Sequence, residues 1–130
     1  FYVNFEADST IYRCDKDFHA LEAFGRAGRE MDLDYLTVRS YDDADKYIRN
    51  RQEKGSYGKI AVAGDYVFRS YARGAASSVD GLQIYKDGVL MGDVDVPKGF
   101  HVAGKIGDRF FSEIFSDTDS GQLSCFTFSL

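Results

Sequence analysis

Glu113 is the acid in this chain whose surroundings could change its chemistry. Phe111, Glu113 and Phe115 share one face of a strand-like run, while Phe110 and Ile114 share the other. That pattern reads as a central strand with two partly apolar faces. A carboxylate held between aromatic rings loses solvation, its pKa rises, and it becomes able to act as a general acid or base. Arg69 stands similarly between Val67 and Tyr71, and His101 follows Gly99 and Phe100 at the start of a strand. Glu113, Arg69, Tyr71 and His101 together would floor a pocket suited to proton transfer. The plainer reading makes Glu113 and Arg69 rim groups or a structural ion pair, and it assigns no catalytic residue.

The other candidate groups have stronger structural explanations. Asp93 and Asp95 alternate with Val94 and Val96, which puts both carboxylates on one strand face, roughly 7 Å apart. An exposed strand face with its valines turned inward gives the same pattern. Asp42, Asp43 and Asp45 load a helix N-terminus, and the cations from Lys46 to Lys59 suit its other end better than they suit a phosphate backbone. Asp117 to Gly121 opens like a calcium loop, but Gly121, Gln122 and Phe128 stand where a third oxygen ligand, a glycine and a bidentate glutamate belong. His19 and His101 lack metal-ligand spacing. No nucleophile elbow, Walker loop, dinucleotide fingerprint, HExxH or CxxC occurs. The expectation is no metal and no cofactor.

Composition narrows the classes further. The chain has 130 residues, 44% apolar and 15% aromatic, enough for one domain with its own core. A net charge of −5 disfavours non-specific nucleic-acid binding, and no apolar run is long enough for a spanning helix. Cys14 and Cys125 read as two buried free thiols, which leans toward the cytoplasm, although a chain starting at Phe1 leaves the compartment open.

The elements that must position these groups fall into two halves. Asp15 or Asp17 would cap a first helix in which Phe18, Leu21, Phe24, Ala27 and Met31 recur at helical spacing, although Gly25 and Gly28 are odd inside it. A strand from Asp34 to Arg39 follows. Ser40 then caps a second helix that Gly55 stops. From Lys59 onward, strands alternate with two-residue turns at Gly64-Asp65, Asp87-Gly88 and Gly107-Asp108. Between them, residues 73–81 read as a mobile loop. The segments beginning at Gly58 and Gly104 echo each other through a Gly-Lys-Ile start, a Gly-Asp turn and an aromatic strand.

The expected fold is α+β: a curved, mainly antiparallel sheet of about six to eight strands with two helices on one face. The expected function is a non-enzymatic protein-binding module of inhibitor, immunity or accessory type, working through a surface that contains some of its nine tyrosines. A small ligand binder or acid–base enzyme built around Glu113 is the alternative. The expected partner is a protein, with a small molecule under the alternative, and neither nucleic acid nor membrane.

Overall fold

The computed structural model describes residues 1–37, 39–116 and 119–130. The valine of the expected 34–39 strand and the opening of the 117–121 loop lie outside them. Strands take 45% of the chain and helix only 13 residues, in several small separate sheets. The expected curved sheet carrying two helices is therefore not the fold.

The first expected helix is where the reading fails. β1 (Tyr2–Asn4), β2 (Ile11–Cys14) and β3 (Ala20–Phe24) form an antiparallel sheet in that order. The Asp15 carboxylate accepts from the backbone N–H of Asp17 and of His19, and Phe18 takes a φ of 64°. That local competition for backbone donors makes a turn where a helix would start. Glu22 pairs across the sheet with Arg13 at 2.9 Å, not along a helix with Arg26. Gly25 has a φ of 127°, and a Cβ there would lie 2.2 Å from the Ser9 carbonyl oxygen. Only glycine fits that crossing. No strand forms among the described residues of 34–39.

The second helix exists as expected. The Ser40 side chain accepts from Asp42 N–H, a 3-10 turn spans Tyr41–Asp43, and α1 runs Ala44–Glu53. Beyond it, β4 (Ser56–Ala63), β5 (Tyr66–Ala72), β6 (Asp80–Lys86) and β7 (Val89–Val96) form a four-stranded antiparallel sheet in chain order. Asp87 and Gly88 turn with φ of 50° and 74°, the conformation a tight hairpin between right-twisted strands requires. β8 (Val102–Ile106), β9 (Arg109–Ser112), β10 (Phe115–Ser116), β11 (Leu123–Ser124) and β12 (Thr127–Phe128) complete the chain. β12, β9 and β8 make a third sheet in that order, and β10 pairs with β11.

The four-stranded sheet lies between the β1-β2-β3 sheet and the β12-β9-β8 sheet. One of its faces contributes Phe68, Leu82, Ile84 and Val96 to a core shared with Phe100, Val102 and Phe110. Its other face contributes Val67 and Tyr85 to a core with Ile11, against which Tyr2 and Phe24 pack. With both faces covered, β5 and β6 are almost wholly buried. The 73–81 loop is tied down as well: Lys98 donates to Gly74 O, and the Arg73 side chain is buried.

Candidate functional site

The groups singled out as one possible pocket occupy opposite faces of the middle sheet. Arg69 and Tyr71 project toward the first sheet, and His101 and Glu113 lie beyond the other face.

Arg69 is fully buried and has no carboxylate partner among the described residues. Cross-strand register places it opposite Gln83, and Gln83 opposite Asp93. Its Nε donates to Gln83 Oε1 at 3.0 Å, one terminal nitrogen to Ser9 O at 2.9 Å, and the other to Arg26 O at 2.8 Å. The guanidinium lies 4.0 Å from the centre of the Tyr57 ring. Burial pulls its pKa below the ordinary arginine value, while the neighbouring Tyr85 and Tyr57 act the other way. One row along, the Tyr71 ring lies over Gly81, and its hydroxyl donates to Asp93 at 2.5 Å. Burial, then that carboxylate, raise the Tyr71 pKa. Arg73 holds Asp95 at 2.7 Å and Glu30 at 3.2 Å, and Arg29 also bonds Asp95. The Asp93–Asp95 pair thus bonds arginines and a tyrosine, with Asp95 still half exposed.

This layer clamps a stretch of backbone. The N–H groups of Arg26, Gly28 and Arg29 donate to the hydroxyls of Tyr85, Tyr57 and Tyr71 in turn. Gln83 Nε2 donates to Arg26 O and Ala27 O. Three tyrosines are therefore used to hold residues 26–29 across the sheet. A buried arginine bonded to carbonyls is a positioning device: it supplies donors where the crossing chain has no strand partner.

On the opposite face, a cavity of about 200 Å³ is lined by Ser70, Asp80, Gly99 and His101 among others. Ser70 Oγ lies 3.2 Å from Lys59 O and 2.5 Å from His101 Nδ1, and the ring tautomer sets whether Ser70 or His101 donates in the shorter contact. Burial, then the Lys59 charge, lower the His101 pKa, which favours the neutral ring. Asp80 Oδ2 accepts from Gly99 N–H, and its Oδ1, buried, lies 3.7 Å from Lys98 Nζ. Glu113 follows the end of β9, with its N–H donating to His101 O. Its carboxylate takes both Lys59 contacts, at 2.8 and 3.0 Å, and is open to water.

Glu113 therefore departs in sign from the pocket reading and sits as a rim group, paired with Lys59 and not with Arg69. Hydrogen bonding to Lys59 holds its carboxyl below the usual range, against a weaker push from burial. A folded-state pKa below the unfolded value adds stability above the unfolded pKa, and that stability fades as pH falls through the folded value. Glu113→Gln is thus expected to be slightly less stable than wild type at pH 7, with the difference closing toward pH 3. Urea melts of both proteins across that range test it, and a variant more stable than wild type at pH 8 would restore the desolvated acid.

Gln83 escaped the sequence reading, and Lys59 entered it only among the cations suited to a helix end. The long 73–81 connection hides the register that sets Gln83 against Arg69. Cys14 is buried as expected and Cys125 is exposed, both as free thiols. Among the described residues no group of histidine, cysteine and acidic side chains could hold a metal ion, and no helix is long and apolar enough to cross a membrane. Comparisons of the chain with protein-family models, with curated proteins and with solved structures found no match.

Proposed function

We propose that the chain is a non-enzymatic protein-binding module, and that what it binds is an extended, apolar strand. The observation that carries this reading is a cleft of about 340 Å³ between the middle and third sheets. Leu82, Ile84, Val94 and Val96 line it from β6 and β7, and Phe126, Phe128 and Leu130 from the end of the chain. It opens beside β12, whose second edge has no strand partner among the described residues, in a three-stranded sheet next to a sheet of four strands. An extended segment added there gains main-chain hydrogen bonds from β12 and buries alternate side chains in the cleft. Tyr57, Tyr71 and Tyr85 are buried and take no part in a binding surface, while Tyr41 is exposed.

The test uses a synthetic peptide with the sequence of residues 89–96, the strand that fills the corresponding place in the middle sheet. Labelled peptide is expected to bind saturably in fluorescence anisotropy. Val94→Asp, which puts a charge at the mouth of the cleft, is expected to weaken binding about tenfold or more, the equivalent of about 1.4 kcal/mol. Absence of saturable binding, or equal affinity in the variant, would overturn the reading.

A further inference from the structure

The helix α1 has no buried residue. Polar contacts fasten it instead: Arg51 bonds Glu6, Lys54 just beyond its end bonds Asp32, and Asn50 Oδ1 accepts from Leu36 N–H. The face that carries Tyr47, Ile48 and Arg51 borders a cavity of about 540 Å³. Ser56 and Ala72 of the middle sheet and Ala75 of the 73–81 loop line it as well. Small-molecule sites occupy about 300–1,000 Å³, so this one is large enough for a ligand. Ile48 is half exposed, which leaves a way in from solvent.

Asp80, the first residue of β6, lines this cavity and also the smaller one beside His101. It is 8% exposed. Gly99 N–H satisfies its Oδ2, but its Oδ1 is buried and has no hydrogen-bond donor among the described residues. Lys98 Nζ stands 3.7 Å from that oxygen, beyond hydrogen-bond reach, and gives its bond to Gly74 O at 2.8 Å. A charged oxygen taken out of water and left without a donor is costly, and such exceptions mark places kept for something to bind. The same cavity holds a second one. Arg51 Nε is buried without an acceptor, while its terminal nitrogens are spent on Tyr47 and Glu6.

One unanswered acceptor and one unanswered donor call for a ligand that carries both charges. The cavity is lined by three cations, Arg51, Lys54 and Lys98, and by two anions, Glu6 and Asp80. An amine alone would meet the surplus of cations, and a carboxylate alone would leave Asp80 unanswered. The α-ammonium and α-carboxylate of an amino acid are joined through a single carbon. Asp80 and Lys98 present opposite charges at the matching short separation. Tyr47, Ile48, Ala72 and Ala75 offer apolar surface for a side chain.

We infer that this cavity binds a small zwitterion, an apolar α-amino acid. Its ammonium donates to Asp80 Oδ1, its carboxylate turns to Lys98 and Arg51, and its side chain lies along α1. The site shares no lining residue with the cleft beside β12, and the inference does not rest on that cleft.

Calorimetric titration at neutral pH with L-leucine and L-phenylalanine tests it. At least one of them is expected to bind saturably. Two analogues of leucine, its amide and 4-methylpentanoate, each lack one charge and are expected to bind about tenfold more weakly or worse. Asp80→Asn keeps the shape and the Gly99 bond, and should lose the preference for leucine over 4-methylpentanoate. Lys98→Met, at a partly exposed position, should lose the preference for leucine over its amide. Ala75→Trp, which touches neither charge, should block binding with an unchanged circular dichroism spectrum. Val94→Asp, in the other cleft, should bind leucine as wild type does. No saturable binding of either amino acid, analogues that bind as well as leucine, or full binding by Ala75→Trp would overturn the site.

Discussion

Arg69→Met is expected to destabilise the chain by about 1–3 kcal/mol, the cost of leaving a carbonyl acceptor without its donor. Methionine keeps most of the volume, so the loss is not one of packing. Arg26 O retains a bond from Gln83 Nε2, and Gln83 Oε1 retains one from the Tyr85 hydroxyl. Ser9 O loses the Arg69 bond that spans the two sheets and is the acceptor left unanswered. The stacking of the guanidinium on Tyr57 is lost as well. Arg69→Lys should recover only part of the difference, since one ammonium cannot reproduce a planar fork aimed at three acceptors. Urea unfolding of the three proteins measures this, and a Met variant within about 0.5 kcal/mol of wild type would mean the clamp is dispensable.

Gly81→Ala is expected to cost about 3 kcal/mol for a purely steric reason. A Cβ at that position would lie 1.9 Å from the Tyr71 ring, in contact with a side chain that is itself fully packed. Overfilling a closed core typically costs about 1–3 kcal/mol. Here the displaced ring also carries the hydroxyl that joins Arg29 N–H to Asp93. The cause can be isolated with a double-mutant cycle. In a Tyr71→Ala background the same alanine has room, so its cost should fall by more than half. Equal costs in both backgrounds would place the strain elsewhere.

Legibility followed the range of the interaction. The hairpins at Gly64-Asp65, Asp87-Gly88 and Gly107-Asp108 were readable because a two-residue turn states its own backbone angles in its residue types. The helix over Ala44–Glu53 was readable from its cap and its stop. The segment 15–31 misled because Phe18, Leu21 and Phe24 satisfy a helical period, while Gly25 and Gly28 carried the contrary signal. Those glycines answer to the Ser9 carbonyl and the Tyr71 ring, which lie far along the chain or across a sheet. The same holds for the candidate residues. Alternation treated Arg69 and Glu113 alike, as pocket or as rim groups, and could not separate them: Arg69 is wholly buried within β5, while β9 ends one residue before Glu113, at Ser112, and Glu113 turns outward to Lys59.

In the first and the four-stranded sheets each strand pairs with its neighbour in the chain, which bears on how the molecule is made. During synthesis those two sheets can close as soon as their last strands emerge, and short-range contacts form quickly, whereas β9 waits for β12. The Arg69 clamp runs against that order. Ser9 and Arg26 leave the ribosome well before the arginine that holds their carbonyls, so the first sheet is synthesised early and fastened late. During that interval Ile11 and Phe24, which rest on Val67 and Tyr85 in the finished molecule, have nothing to cover them. The nascent chain is most exposed to chaperones and proteases in that interval.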